Sequence, residues 1–192
     1  KMFQSVRQYA TDPSVRDNQR LIIGPWPHSL GRSRYGRYDF GPAAKLDTNE
    51  ASAAWFDRWL KDPAAAYTKE PTVRVFLMGE NRWRSAESWP IPRTQFTRFY
   101  FHSNGEARGS RGGGDLSTRP PESEPADRYV YDPAKPVVIT VSSPNGITDT
   151  GPTDLTAVEK RDDVLIYTTK PLTKAVEVVG TVSASIYVST TV

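Results

Sequence analysis

"LIIGPWPHSLGR", residues 21–32, is the stretch on which the reading of this chain turns. Leu21, Ile22 and Ile23 form an unbroken apolar run, which suits a short strand covered on both faces. Gly24, Pro25 and Pro27 then end any regular ladder, because proline offers no N–H and holds φ near one value. His28, one of 2 histidines in 192 residues, follows directly. An imidazole on a turn just past a buried strand can bond to backbone, bind a metal or move a proton.

Working outward from that turn, "KMFQSVRQYA" (1–10) carries apolar residues at Met2, Phe3, Val6, Tyr9 and Ala10, which is helical spacing. "TDPSVRDNQ" (11–19) reads as a polar, proline-containing connection. Residues 24–45 read as a long loop rich in Gly, Pro, Ser and Arg. "DTNEASAAWFDRWLK" (47–61) predicts an amphipathic helix with Asp47 or Thr48 as cap and Ala51, Trp55, Phe56 and Trp59 on its core face. "PTVRVFLMG" (71–79) predicts a second strand, parallel to the one at 20–23, with the helix as crossover.

From Thr97 onward the pattern changes to strand candidates at 97–102, 128–131, 137–141, 164–168 and 175–189, separated by Gly/Pro-rich turns. That composition predicts a β-sandwich or jelly roll, with a domain boundary near residue 95. "GSRGGGD" (109–115) reads as a surface loop, since no helix start follows its glycines to hold a phosphate. A helical stripe is under way at Met2 and an alternating pattern still runs near Val192, so both ends are expected to be cut.

With 37% hydrophobic and 24% charged residues the chain is globular rather than disordered. It has no cysteine, so disulfides and thiolate ligands are excluded. No apolar run approaches the roughly 20 residues of a membrane helix. The formal charge of +3 is too small to imply a polyanionic partner.

The segments "LIIGPWPHSLGR", "FGPAA", "AAWFDRWLK", "VRVFLMGENRWR", "YDPAKPV" and "RDDVLIYTTKPLTKAVEVVGTVSASIYVST" occur in the order of one family. The chain resembles the cocaine-esterase and X-prolyl dipeptidyl-peptidase-like serine hydrolases, which include α-amino-acid ester hydrolases. The resemblance implies the C-terminal part of an α/β-hydrolase domain (1–95) followed by the start of a jelly-roll domain (96–192). It implies that His28 matches the catalytic histidine, acting on small ester or peptide substrates with no metal or organic cofactor. The family's serine elbow lies far upstream of that histidine, and no G-x-S-x-G-like elbow occurs in residues 1–27. Its acidic partner is expected ahead of Lys1, so Asp12 and Asp17 are not promoted to the triad. By this reading the chain alone is inactive.

Other residues carry weaker signals. His102, ending "RFYFHS", reads as structural. Arg32, Arg34 and Arg37, interleaved with Tyr35 and Tyr38, suggest a nucleic-acid surface, but three arginines in one loop more commonly form a solvated or interdomain face. Trp55, Trp59, Trp83 and Trp89 raise a sugar platform, although helical spacing assigns the first two to the core. Asp149 and Asp154 offer oxygens without a regular calcium spacing. The competing reading of the whole is a non-catalytic β-sandwich module that binds carbohydrate or protein.

Overall fold

A computed structural model describes residues 1–61, 70–109, 112–138 and 152–191. It is a mixed α/β structure with several small sheets, compatible with a β-rich C-terminal region. The chain opens with α1 (Met2–Tyr9) and α2 (Pro13–Asp17). β1 (Leu21–Ile23) follows, then a hairpin of β2 (Arg34–Tyr35) and β3 (Tyr38–Asp39), and a 3₁₀ turn at Pro42–Ala44. Beyond it come α3 (Thr48–Leu60), β4 (Val73–Leu77) and β5 (Arg82–Ala86). The second half holds β6 (Tyr100–His102), β7 (Gly114–Ser117), α4 (Thr156–Glu159) and β8 (Tyr167–Thr168).

The first sheet has the order β1-β4-β5. β1 runs parallel to β4, pairing Leu21 with Val73 and Ile23 with Val75, and α3 lies between them in sequence as the expected crossover. Among the described residues β4 is the one strand that pairs with β1, so the other edge of β1 is open. β4 and β5 form an antiparallel hairpin whose turn places Gly79 at φ 91 and Asn81 at φ 52. Glycine and asparagine are the residues that tolerate such left-handed values.

β4 buries both of its faces, as period-2 geometry allows for a central strand. Val73 and Val75 join Ile91 in one cluster, packed against by Phe3, Leu21, Ile23 and Val179. Phe76 points the other way, into a cluster with Tyr35, Phe40 and Ala44 that Trp26, Tyr38 and Trp83 cover. Phe76 lies opposite Trp83 in the hairpin with their rings edge-on at 5.3 Å, and Phe40 meets Phe76 edge-on at 6.4 Å. Aromatic pairs of this geometry add to the hydrophobic gain.

Several elements depart from expectation. The connection at 11–19 contains α2, capped by Asp12, whose carboxylate accepts from the Ser14 N–H at 2.8 Å. The loop at 24–45 contains the β2–β3 hairpin, with Gly36 at φ 54 in its two-residue turn. The stretch around Trp83 is strand β5, unrecognised because its arginines suit an exposed edge rather than an alternating core strand. Helix α3 is capped by Asp47 as expected, accepting from Asn49 and Glu50 at 2.9 and 3.0 Å. Its apolar residues are not core, however: none is buried, Phe56 is 58% exposed and Trp59 40%. Trp55 on that face is half-buried, with its ring 5.8 Å from that of Trp59, and Arg58 reaches back to donate to Asn18 Oδ1 at 2.8 Å.

In the second half, β6-β7-β8 form a three-stranded sheet, with β7 and β8 parallel. The strand expected at 97–102 shortens to its last three residues, and the one at 164–168 to Tyr167–Thr168 plus a bridge from Leu165 to Arg108. No strand forms at 128–131 or 175–189, nor at 137 and 138; residues 139–141 lie outside the described part. Alternation alone does not make a strand, because each backbone N–H and C=O needs a neighbouring edge, and none among the described residues meets these segments. Val182, Tyr187 and Val188 are accordingly exposed. No described helix is long and apolar enough to cross a membrane.

Because Phe76 sits at the junction of β4, β5 and the β2–β3 hairpin, Phe76→Ala is expected to destabilise the protein by about 3–5 kcal/mol. A lowered denaturation midpoint in urea measures this, and an unchanged midpoint refutes the packing described.

Candidate functional site

His28 lies five residues past the end of β1, on a turn whose backbone is built by its aromatic neighbours. The Trp26 ring folds over Gly24 so closely that a Cβ there would stand 2.5 Å from it, which explains glycine at this position. The Trp26 indole N–H donates to the Ala44 carbonyl at 2.8 Å, and its ring meets Trp83 at 5.7 Å. Past the histidine, the Tyr35 hydroxyl donates to the Ser29 carbonyl at 2.6 Å and accepts from the Arg32 N–H at 3.1 Å. Gly31, at φ 85, accepts through its carbonyl from the Leu46 N–H at 3.0 Å.

The His28 side chain itself is exposed, and among the described residues its ring has no hydrogen-bond or ion-pair partner. Asp12 is engaged at the start of α2, where the bonds from Ser14 hold its carboxyl below the usual range. Asp17 pairs with Arg16 at 3.1 Å. Neither carboxylate meets the imidazole. The ring is therefore sterically free to accept a proton from a group brought to it.

His102 presents the opposite case. It is 8% exposed at the end of β6, with Nδ1 2.7 Å from Glu124 Oε1 and Nε2 2.8 Å from the Arg119 carbonyl. Ser117 Oγ lies 3.1 Å from the same Nε2, so carboxylate, imidazole and hydroxyl stand in a row. That row superficially has the makings of a nucleophilic triad. The Arg119 carbonyl decides otherwise: a carbonyl only accepts, so Nε2 donates to it and has no lone pair left for Ser117. His102 is a brace between β6 and the 117–124 segment.

Around the brace, Glu124 Oε2 also accepts from the Ser103 N–H at 3.1 Å. The bond from His102, and then that from Ser103, hold the Glu124 carboxyl below its ordinary value. Asp127 ties the turn to β8: it accepts from Ser103 Oγ, the Ala107 N–H and the Tyr167 hydroxyl at 2.8, 2.9 and 2.5 Å. Burial opposes ionisation of Asp127, yet these three bonds keep its carboxyl below the usual range. Burial, and then the Asp127 bond, push the Tyr167 hydroxyl well above the ordinary tyrosine value.

Residues 65–192 match the X-Pro dipeptidyl-peptidase C-terminal non-catalytic domain. The chain belongs to that family. It is 45% identical over 184 residues to cocaine esterase from Rhodococcus sp. (strain MB1 Bresler), which covers 92% of this chain and 32% of that protein. Two mycobacterial proteins bearing serine-esterase names, from Mycobacterium bovis and Mycobacterium tuberculosis, are 29% identical over 180 residues, covering 89% of this chain and 26% of each. The chain thus spans between a quarter and a third of the length of these curated relatives. His28 lies upstream of the stretch matched to the non-catalytic domain, whereas His102 lies within it.

The remaining candidates of this family member are engaged locally. Arg34 pairs with Asp39 at 2.8 Å, and Arg37 donates to the Tyr38 hydroxyl at 3.2 Å, so the arginine loop closes on its own hairpin. Tyr35 is buried and offers no stacking face. The Trp83 indole donates to the Ala43 carbonyl at 2.7 Å, and Trp89 packs against the Val73 cluster, so both serve the fold. Asp154 accepts from the Thr156 N–H at 2.9 Å just ahead of α4; Asp149 lies outside the described residues. Among the described residues no three His, Asp or Glu side chains are grouped to hold a metal. The residues that sequence reasoning missed are Tyr35 as an anchor and Glu124 and Asp127 as braces. A "YGRY" hairpin signal at 35–38 was available for the first, while the other two lie in proline-rich stretches with no periodicity.

A carboxyl held low in the folded state stabilises above its ordinary value and ceases to do so as the pH falls through its folded value. Wild-type thermal stability is therefore expected to drop below about pH 4. Glu124→Gln is expected to melt lower at neutral pH and to lack that part of the acid sensitivity. Parallel Tm-against-pH curves for the two proteins would show that Glu124 carries no such linkage.

Proposed function

We propose that this chain is the C-terminal part of a serine hydrolase that cleaves ester or amide bonds, and that His28 is its general base. In this reading residues 1–95 close an α/β-hydrolase domain and 96–192 begin a jelly roll. The observation that carries it is the placement of an exposed, unpartnered imidazole just beyond the C-terminal end of β1, a strand in a parallel β1–α3–β4 unit. Active sites of open α/β sheets lie off the carboxyl ends of their strands, and the α/β-hydrolase triad places its histidine on a late loop there. The serine-esterase names of the relatives support the same reaction class.

The chemistry follows from what a free imidazole does. Nε2 takes the proton from a serine hydroxyl as its oxygen attacks the substrate carbonyl carbon. The resulting imidazolium returns that proton to the leaving alcohol or amine as the carbonyl–heteroatom bond breaks, leaving an acyl-enzyme. The same nitrogen then removes a proton from water, which attacks the acyl carbon and releases the acid. An acidic partner on Nδ1 would fix the tautomer. The serine and that acid are supplied by other parts of the hydrolase, as is the acyl pocket that selects between esters and prolyl peptides.

In the full-length hydrolase, His28→Ala is expected to lower kcat by on the order of 10⁴-fold. Near wild-type turnover of an aryl ester would remove His28 from the mechanism. The isolated 192-residue chain is expected to give no burst of p-nitrophenol from p-nitrophenyl acetate. One equivalent of rapid product per chain would mean that it holds a nucleophile of its own.

A further inference from the structure

We infer that Tyr35 is the positioning residue for His28, and that its buried hydroxyl exists to hold the turn presenting the imidazole. The inference rests on the reading of His28 as a general base. Tyr35 is 2% exposed and its ring fills the cluster with Phe40, Ala44 and Phe76. A phenylalanine would fill nearly the same volume, so packing gives no reason for the hydroxyl, and a buried hydroxyl must be matched with partners. Two of its partners are backbone groups of the His28 turn: it donates to the Ser29 carbonyl at 2.6 Å and accepts from the Arg32 N–H at 3.1 Å.

The Tyr35 ring is itself fixed from the far side. β2 pairs Tyr35 with Tyr38, and the Phe40 N–H donates to the Ser33 carbonyl at 2.8 Å, closing the hairpin around it. One phenol oxygen thus links the core to both ends of a four-residue bend, Ser29 to Arg32, that begins immediately after His28. On the preceding side the Trp26 indole donates to the Ala44 carbonyl, tethering the chain through a side chain two residues before His28. The outcome is a fixed Cα under a ring that is otherwise unrestrained. A base must reach its proton donor within hydrogen-bond distance, and a displacement of about 1 Å can cost on the order of 10²-fold in rate. Holding the backbone on both sides answers that demand without occupying either ring nitrogen.

Tyr35→Phe in the full-length hydrolase tests this. With the ring retained, kcat for an aryl ester is expected to fall on the order of 10-fold while KM changes by less than about twofold. Tyr38→Phe, whose hydroxyl meets Arg37 and no part of the turn, is expected to leave both parameters unchanged. A purely structural role predicts a lower Tm with normal kcat per folded molecule, and that result overturns the proposal. Should Tyr35→Phe fail to fold, hydrogen exchange on the wild-type protein decides: the Arg32 amide is expected to exchange slowly, and exchange at a free-loop rate overturns the anchoring. A fully active His28→Ala would instead overturn the reading of His28 as a base, while Arg32 protection would still report whether Tyr35 holds the turn.

Discussion

The first half of this protein depends on one constraint: the β4 strand must satisfy both edges and both faces at once. Its backbone is shared between β1 in parallel and β5 in antiparallel register. Its side chains alternate between two cores, with Val73 and Val75 in one and Phe76 in the other. Each such apolar side chain contributes about 1.5–3 kcal/mol when buried. The two cores hold different things. The valine side fastens α1 through Phe3 and the late segment around Val179, whose neighbour Glu177 pairs with Arg84 on β5. The phenylalanine side fastens the loop between β1 and α3. The strand that defines the sheet therefore also defines where the His28 turn is built.

That double duty accounts for the aromatic content of the loop. A loop of about twenty residues has few backbone hydrogen bonds of its own and must be held by side chains. Here Trp26, Tyr35, Tyr38 and Phe40 gather over Phe76 and Trp83. Their polar tips are directed to backbone: the Trp26 and Trp83 indoles cap the carbonyls of Ala44 and Ala43, and Tyr35 reaches the turn after His28. The rings supply the burial and the polar tips supply the register. Arg74 extends the arrangement, with its guanidinium 4.9 Å above the Trp83 ring.

How much of this can be read in the sequence varies with the range of the interaction. The helix from Asp47, the strand at Val73 and their parallel link to Leu21 follow from local periodicity, capping and connection length, and the structure has all three. The placement of His28 beyond β1 follows from the same run of residues. Features that depend on a distant partner were not legible. β5 is a strand because β4 offers it an edge, and residues 175–189 form none, despite alternation, because no described edge meets them. Trp55 and Trp59 have core spacing, yet helix periodicity says which face is apolar and not whether anything covers it. The Glu124 and Asp127 braces join residues about twenty positions apart across an aperiodic stretch, and no local pattern marks such contacts.

The two histidines show how surroundings, rather than residue type, assign a role. His102 meets a carboxylate and a carbonyl at hydrogen-bond distance, and its nitrogens are fully committed to holding β6 against the segment that follows β7. The serine beside it gains no reactivity, because activation requires an open lone pair at the distance where Nε2 already donates elsewhere. His28 has the reverse arrangement, in which the fixed contacts are made by neighbouring residues and none by the imidazole. His102 is stabilised through its ring, whereas at His28 the backbone is held and the ring is left bare. The turn is ordered all the same: the Trp26 indole and the Tyr35 hydroxyl tie it to the core on either side of His28, and the Gly31 carbonyl accepts from Leu46. The contrast also separates the two halves of the chain by kind of interaction. Polar side-chain networks stabilise the region past residue 100, whereas an aromatic core stabilises the region that holds His28.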